Sequence, residues 1–333
     1  MAKGYVWFNT ALLVSLVVLT GCGATAFRIE LVPAHQRLEE TEIQRDKGIF
    51  IRDKIAVIDV DGLLINKRKG GFMREGDNPV SLFVEKLDKA SSDRRVKAVV
   101  LRLNSPGGTV AASDIMYHSL REFKRKTGKP VVACILGVGC SGAYYLACGS
   151  DGILAQPGGV TGSIGTIMQT FSFAGTMEKI GVKAVAIKSG DLKDLGSPLH
   201  DLRAEERKVL EGIINQFFEQ FLTVVQEGRK NIGEQKLRKL ADGRVFTAEE
   251  ALQEKLIDKI GYPADGIEWA KEIAGIEKAR VVMYHRPSGH KANVYGSATS
   301  VDDAVGALIN VELPDWLSSN GAQFLYLWQP LVE

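Results

Sequence analysis

The chain has 333 residues, enough for one large domain or two modest ones. With 45% hydrophobic residues, 25% charged residues and a net charge of +2, its composition is typical of a globular protein and argues against a nucleic-acid partner. No pair among the four cysteines has the spacing of zinc ligands, so we expect no metal site, and nothing else in the sequence indicates a cofactor.

Residues 1–22 have the pattern of an export signal. Lys3 gives a short positive end, and the apolar run Ala11–Leu19 follows it. The tetrapeptide Leu19-Thr20-Gly21-Cys22 resembles the lipobox of bacterial lipoproteins, in which the cysteine is lipidated and becomes the mature N-terminus. We therefore expect a lipid on Cys22 and an exported body held at the cell-envelope membrane.

An uncleaved membrane anchor over residues 5–27 is the alternative for this segment. Asn9 and Thr10 interrupt its apolar run, which is then shorter than the roughly 20 residues that a membrane span needs. Both interpretations place the body of the protein outside the cytoplasm. Residues 23–53 are charged and mixed, and we predict that they form a stalk between the anchor and the body.

From Lys54 onward, short β-branched runs alternate with amphipathic helical patterns. Strands are predicted at 54–60, 96–103 and 131–136, with shorter candidates at 153–155, 164–168 and 182–187. Helices are predicted at 79–92 and 109–126. This alternation is typical of an α/β fold with a mostly parallel sheet that is buried on both faces.

The second half of the body is mainly helical. A long helix at 202–229 carries a continuous apolar stripe, which indicates core packing or a subunit interface. Shorter helices are predicted at 234–241, 247–256 and 264–274, and a last strand at 280–284. We assign residues 54–285 to one domain.

Residues 286–333 form the end of the chain and turn to Ser, Gly and Asn, which predicts a flexible tail. The tail contains the aromatic run Phe324-Leu325-Tyr326-Leu327-Trp328. Because such a run is costly to leave in water, we expect it to dock on another surface.

A predicted strand, a glycine-rich turn and a helix meet at Ser141. The apolar run 131–136 leads through two glycines to Cys140-Ser141-Gly142, and a small-residue helical pattern follows. Unpaired N–H groups at a helix N-terminus stabilise an anion, so this position suits a nucleophile. The local sequence alone favours the simpler interpretation that Ser141 caps the helix.

A second glycine turn, Asn104-Ser105-Pro106-Gly107-Gly108, ends the preceding predicted strand. Its amides could form an oxyanion hole with the N–H of Gly142 as the second donor, although a single turn of this kind is usually structural. Two such turns in neighbouring units favour catalysis, because one can supply an oxyanion donor for the other's nucleophile.

A serine nucleophile needs a base, and one loop offers three candidates. His200 is the histidine that lies in a suitable loop, and Lys188 and Lys193 precede it. A lysine serves as a base when burial lowers its pKa, but most loop lysines are solvated charges. Ser163, at the start of a short predicted strand, could hold a neutral lysine amine by a hydrogen bond or simply shape a turn.

Five motifs together resemble the signal peptide peptidase A family of bacterial serine proteases. They cover residues 55–285 in order, which makes the resemblance specific. The motifs are Asn-Ser-Pro-Gly-Gly at 104–108, Cys-Ser-Gly-Ala-Tyr-Tyr at 140–145, Thr-Gly-Ser-Ile-Gly at 161–165, Lys-Ser-Gly at 188–190 with Lys193, and Ala-Asp-Gly-Arg-Val-Phe at 241–246.

The resemblance implies a Clp/crotonase-like fold of stacked ββα units, with a C-terminal helical part and a Ser–Lys dyad. It implies that Ser141 is the nucleophile, Lys193 the general base and Ser163 the group that orients the lysine. The amides of Gly108 and Gly142 would then form the oxyanion hole.

Two residues beside the nucleophile depart from the usual pattern, and the tail at 286–333 lies outside the match. Ala143 stands where many relatives have a second glycine. Cys140 precedes Ser141 and leaves a thiol nucleophile as a remote alternative.

The function that this resemblance implies is a membrane-tethered serine endopeptidase that degrades remnant signal peptides or other apolar peptides. It also implies a homo-oligomer, with the stripe at 202–229 or the tail at 324–328 as candidate contacts. The alternatives are a crotonase-type acyl-CoA enzyme, which shares the fold, and a non-catalytic membrane scaffold. The export signal argues against the first, since acyl-CoA is cytosolic.

Overall fold

The computed structural model describes residues 37–67, 70–71, 74–75, 77–287 and 323–328. All of them belong to the unit that runs from Arg37 to Glu333. The predicted export signal with Cys22 lies outside the described residues. Among the residues that are described, no helix has both the length and the apolar character needed to cross a bilayer.

A mostly parallel sheet forms the centre of the molecule. Its main path has the strand order β1-β12-β2-β5-β7-β8-β11, and β9 and β10 extend it beside β7. Neighbours from β12 to β11 run parallel, and β1 pairs antiparallel at the edge. The strands are β1 (Glu39–Arg45), β2 (Lys54–Asp61), β3 (Gly70–Gly71), β4 (Arg74–Glu75), β5 (Val96–Ser105), β6 (Gly107–Thr109), β7 (Val131–Cys140), β8 (Gly152–Ala155), β9 (Val160–Gly162), β10 (Val245–Thr247), β11 (Lys259–Ile260), β12 (Arg280–His285) and β13 (Leu325–Leu327).

Helices cover both faces of this sheet. Side chains alternate along the central strands, so that Ile58 of β2 joins one buried cluster and Val57 joins the other. The helices are α1 (Pro79–Ser92), α2 (Val110–Thr127), α3 (Gly142–Ala147), α4 (Ala174–Lys179), α5 (Ala204–Gly228), α6 (Glu234–Leu240), α7 (Ala248–Gln253) and α8 (Pro263–Ala274). Helices α1, α2, α3 and α5 pack on one face and α8 on the other. The predicted α/β fold with a mostly parallel sheet and a C-terminal helical part is thus confirmed.

Local capping signals set the helix bounds. The Asn78 side chain accepts the N–H groups of Val80 and Ser81 at 3.0 and 3.2 Å, and Pro79 opens α1. Helix α2 starts after Thr109 and ends at Thr127, and Gly128, whose φ is 67°, caps its C-terminus. These signals explain why the predicted bounds of both helices lie within a residue of the observed ones.

The prediction of a strand at 182–187 is wrong. This segment carries no strand, and Val182, Val185 and Ile187 are exposed. Of the strand predicted at 164–168, only an isolated bridge at Ile167 is present. Strand propensity alone does not create a strand, because the backbone groups also need a neighbour to pair with.

The segment assigned to the stalk contains the edge strand β1, which pairs with β12. The buried ammonium of Lys54 holds this edge by ion pairs with Glu40 of β1, at 2.5 Å, and with Asp93, at 2.9 Å. The sheet therefore begins inside the region 23–53.

Candidate active site

Ser141 lies at the sharp turn between β7 and α3. Its φ of 52° and ψ of −116° are unusual for a residue other than glycine and store local strain. Backbone hydrogen bonds hold the turn on both sides: the Ser141 N–H donates to the Gly162 carbonyl at 2.7 Å, and the Ser141 carbonyl accepts from the Tyr145 N–H at 2.8 Å.

The Ser141 hydroxyl makes no capping bond to the helix. It is buried, and its Oγ has no hydrogen-bond partner among the described residues. A buried hydroxyl without a partner costs free energy, and strained backbone of this kind clusters at functional sites. Of the two interpretations of Ser141, the geometry therefore favours the nucleophile over the cap.

The second glycine turn lies directly beside this one. A Cβ atom on Gly107, whose φ is 104°, would stand 2.8 Å from the Gly142 nitrogen. A Cβ atom on Gly108 would stand 2.0 Å from the Leu64 carbonyl oxygen. Only glycine permits these approaches, and the first of them brings the turn that carries Gly108 against the Gly142 nitrogen.

Ser163 lies next to the same turn. Strand β9 pairs with the end of β7, with Gly162 opposite Cys140, and Ser163 follows. Ser163 is buried, has a φ of 50° and donates its N–H to the Arg244 carbonyl at 2.8 Å. The two serines are thus held on neighbouring backbone segments, each in a strained conformation.

The C-terminal aromatic run docks on the glycine turn, as strand β13. It pairs antiparallel with β6, so that Tyr326 stands opposite Gly108. On its other edge, Leu325 and Ile167 exchange two backbone hydrogen bonds of 2.9 and 3.0 Å. The sequence indicated docking of this segment but not its location, because nothing local links residues 107–109 to residues 325–327.

Lys193, the predicted base, does not contact Ser141 in the single chain. It lies on an exposed turn, where its N–H donates to the Gly190 carbonyl at 3.1 Å. Its ammonium makes no ion pair within the described part of the chain. The structure therefore brings Ser141, Gly108, Gly142 and Ser163 together but leaves Lys193 apart from them.

The other two base candidates are held by Asp194. The Lys188 ammonium contacts Asp194 at 2.7 Å, and the Arg203 guanidinium contacts it at 2.8 Å. The hydrogen bond from Lys188 lowers the pKa of Asp194 to about 2. His200 contacts the carbonyl oxygens of Asp194 and Asp201, and the hydrogen bond to Asp201 raises its pKa.

Asp194, His200 and Glu206 converge within 4.8 Å of one another, a spacing that would suit a metal ion. The Arg203 guanidinium contacts both carboxylates, and Lys188 contacts Asp194. Because these cations already compensate the negative charge, we interpret the cluster as an ion-pair network of the loop.

Cys140 is an unsuitable nucleophile. Its side chain is buried against the Val160 carbonyl, and burial raises the pKa of the thiol to about 12. The thiol is therefore protonated at neutral pH, whereas nucleophilic attack requires the thiolate.

Sequence reasoning missed the residues that shape the groove around β13. Tyr145, Phe217 and Phe221 pack around the Tyr326 and Phe324 rings. Phe217 and Phe221 belong to the apolar stripe that indicated core packing or an interface. Their amphipathic spacing did not indicate that these side chains line a groove.

Comparisons with known proteins agree on one family. A model of peptidase family S49 matches residues 123–277. The chain is 34% identical over 247 residues to a predicted signal peptide peptidase SppA of Enterococcus faecium, an alignment that covers 74% of this chain and 71% of the relative. It is 31% identical to protease 4 of Haemophilus influenzae, covering 67% of this chain and 35% of that protein. It is 32% identical to the chloroplastic serine protease SPPA of Arabidopsis thaliana, covering 71% and 35%.

The α/β fold, the buried serine at a strained turn and these matches define a serine peptidase. The chain belongs to peptidase family S49, the signal peptide peptidase A family. Family membership confirms the peptidase interpretation over the acyl-CoA enzyme and the scaffold.

The Asp194 network predicts how the Lys193 loop is held. Asp194→Asn removes the charge that Lys188 and Arg203 share, so the turn amides of Lys193 and Leu195 should exchange hydrogen roughly two- to fivefold faster. Asp191→Asn is the matched control in the same turn.

The protection of this loop should also depend on pH. The pKa of Asp194 is lowered from 3.8 to about 2, so the stabilisation is complete above pH 3.8 and is lost as the pH falls through about 2. Exchange rates in Asp194→Asn that equal those of Asp191→Asn, after correction for intrinsic exchange, would contradict this role.

Proposed function

We propose that the chain is a Ser–Lys endopeptidase that cleaves extended, apolar peptides, with Ser141 as the nucleophile. The observation that carries this proposal is the buried Ser141 Oγ, which has no partner among the described residues and belongs to a turn in contact with the glycine turn at 107–108. A nucleophile needs an unengaged attacking atom, and the oxyanion that it creates needs two preorganised donors.

In the proposed mechanism, neutral Lys193 accepts the Ser141 proton while Oγ attacks the substrate carbonyl. The tetrahedral oxyanion is stabilised by the N–H groups of Gly108 and Gly142. Lys193 then gives the proton to the leaving amine, and water hydrolyses the acyl-enzyme. Ser163 would orient the lysine amine, and substrate binding would exclude the water that keeps the lysine charged.

The substrates that fit are extended peptides. Strand β13 forms backbone hydrogen bonds with β6 on one edge and with Ile167 on the other. An extended peptide in the same place would be recognised through its backbone in the same way. The aromatic lining favours apolar side chains. Remnant signal peptides have these properties, and the name of the Enterococcus faecium relative points to the same class.

Ser141→Ala and Lys193→Ala should each reduce hydrolysis of an apolar peptide by at least about a thousandfold, since both act in the same step. Lys183→Ala, in the same exposed segment, is the matched control and should keep its activity. Only the wild-type and Lys183→Ala proteins should react rapidly with a fluorophosphonate probe.

Full activity in Lys193→Ala, with loss of activity in Lys188→Ala or His200→Ala, would overturn the assignment of the base.

We also propose that a second copy of the chain completes the site. Nine large hydrophobic side chains between residues 167 and 199 are exposed, an unusual concentration for a surface in water. They are Ile167, Phe171, Phe173, Ile180, Val182, Val185, Ile187, Leu192 and Leu199. Lys193 belongs to this segment, so a neighbouring copy that covers the segment could receive Lys193 at its own Ser141.

Co-expression of Ser141→Ala with Lys193→Ala tests this arrangement. If the dyad forms between copies, the mixed oligomer should recover roughly a quarter of the wild-type rate, because one site in four combines an intact serine with an intact lysine. Each variant expressed alone is the control. A mixed oligomer as inactive as its parents, or a protein that is monomeric while active, would contradict the proposal.

Membrane tethering through residues 1–22 completes the proposed function. Its support is the sequence pattern that ends in Cys22. In a bacterial host, palmitate should label the wild-type protein and the buried-cysteine control Cys148→Ala but not Cys22→Ala. Equal labelling of all three proteins would reject Cys22 as the lipidation site.

A further inference from the structure

The turn between β1 and β2 presents two large apolar side chains to solvent. Ile49 and Phe50 are consecutive in the chain, and they are 86% and 90% exposed. Phe50 adopts a φ of 63°, a conformation that a residue with a Cβ atom rarely takes. Because an apolar pair at the end of a turn is costly to leave in water, it indicates a surface that makes contact with something outside the chain.

This turn lies at the end of the sheet where the parallel strands begin. The Asp46 N–H donates to the Ala279 carbonyl at 3.2 Å, directly before β12. The Arg280 N–H donates to the Asp53 carbonyl at 2.9 Å, directly before β2. Strands β12, β2 and β5 are parallel neighbours, so their first residues lie side by side next to the turn.

Exposed cations surround the apolar pair. Lys47 and Arg52 flank it in the chain, and Arg94 lies just before β5. The Lys278 ammonium stands 3.5 Å from where a Cβ atom of Gly48 would lie, which places it against the turn itself. All four of these cations are exposed, and none makes an ion pair within the described part of the chain.

Most carboxylates at this end of the sheet are already bound by other cations. Those in ion pairs are Asp46 with Lys271, Asp53 with Lys97, and Asp93 with Lys54 and Arg95. Glu277 is exposed beside Lys278. The charges left without an ion pair at the turn and at the adjacent strand starts are therefore mainly positive.

We propose that the tip at residues 47–52 docks on an anionic lipid bilayer. Ile49 and Phe50 enter the boundary between the headgroups and the acyl chains, while Lys47, Arg52 and Lys278 contact lipid phosphates. Buried apolar area and attraction between cations and anionic headgroups are the two contributions that hold a protein surface on such a membrane.

The composition of the tip favours a bilayer over a second protein chain. A stable protein interface buries about 800 Å² on each partner and is depleted of charged residues at its core. Two apolar side chains among four cations do not provide such an interface. A bilayer needs no matching shape, and each Lys or Arg near its anionic surface strengthens binding about fivefold.

The predicted lipid on Cys22 is compatible with this contact. The residues between Cys22 and β1 can span at most about 55 Å when extended. Strand β1 has seven residues and is about 23 Å long, so the tip at its far end can reach the bilayer that holds the lipid. Ser141 then lies at the opposite end of β7, a strand of ten residues that is about 33 Å long.

A label at the tip tests the contact in the full-length protein. Ile49→Cys is combined with Cys22→Ala, labelled with an environment-sensitive dye and reconstituted into vesicles; Cys134, Cys140 and Cys148 are buried. Spin-labelled lipid should quench the dye at least about twofold more strongly in phosphatidylglycerol vesicles than in phosphatidylcholine vesicles.

Leu252→Cys, at an exposed position of α7, is the matched control for the label and should be quenched weakly in both kinds of vesicle. Equal quenching at the two positions, or quenching at position 49 that does not depend on lipid charge, would overturn the proposal.

Charge reversal tests the cations. Lys47→Glu together with Lys278→Glu should reduce quenching at position 49 in phosphatidylglycerol vesicles to the level seen in phosphatidylcholine vesicles, because two attractive charges become repulsive. Lys230→Glu together with Lys239→Glu changes the net charge equally at exposed positions elsewhere and should keep the quenching. Unchanged quenching in the first pair of substitutions would contradict docking through these cations.

Phe50→Gly tests the apolar contact. Glycine adopts a φ of 63° without strain, so the turn should keep its conformation while quenching at position 49 falls by about half or more. Strong shielding of the label from iodide in phosphatidylcholine vesicles would show that protein covers the tip and would overturn the proposal. None of these measurements depends on peptide hydrolysis, so they test the contact separately from the proposed function.

Discussion

The strained turn at Ser141 is the constraint on which the rest of the site depends. A residue with a Cβ atom adopts a φ of 52° only when its surroundings enforce that conformation. Here the hydrogen bond from the Ser141 N–H to the Gly162 carbonyl of the neighbouring strand β9 enforces it. The Ser141 carbonyl is fixed by the first turn of α3. The hydroxyl is thereby held at the end of β7 without a capping bond, directly before the Gly142 amide.

Close packing explains why glycines occupy the positions around this turn. A Cβ atom on Gly142 would stand 2.2 Å from the Ser113 hydroxyl, and one on Gly139 would stand 2.7 Å from the Ile135 side chain. The close packing of α2 against the start of α3, and of the Ile135 side chain against the end of β7, leaves no volume for side chains there. The two glycine turns consequently lie in contact, since a Cβ atom on Gly107 would stand 2.8 Å from the Gly142 nitrogen.

The sequence predicted the fold well, because local signals carry it, and local signals also indicated where Ser141 lies, while the roles of the site residues stay predictions. Asn78 and Pro79 define the start of α1, and the glycine turns at 107–108 and 137–142 identify the neighbourhood of Ser141. The sequence did not predict the features that depend on contacts between residues far apart in the chain. The β-branched run at 182–187 predicted a strand, but these residues have no strand to pair with and lie exposed. The pairing of β13 with β6 joins segments more than two hundred residues apart, which no local pattern encodes.

The predicted dyad is the point at which sequence and single-chain structure differ most. The motif around Lys193 indicates a base, yet the chain alone leaves that lysine on an exposed turn within a segment rich in exposed apolar side chains. Desolvation is what lowers the pKa of a lysine amine, so a base at this position requires cover from outside the single chain. The proposed nucleophile and oxyanion donors all come from the ends of neighbouring strands in one chain, whereas the proposed base would depend on assembly with a second copy.

The central claim is that Ser141 and the amides of Gly108 and Gly142 form a peptide-cleaving centre whose groove holds the segment Phe324–Trp328. The most direct measurement is a crystal structure of the Ser141→Ala protein. The account predicts density for this segment between β6 and Ile167, with the Tyr326 carbonyl oxygen within hydrogen-bond distance of both glycine amides. A groove that is empty, or a Tyr326 carbonyl that points away from both amides, would contradict it.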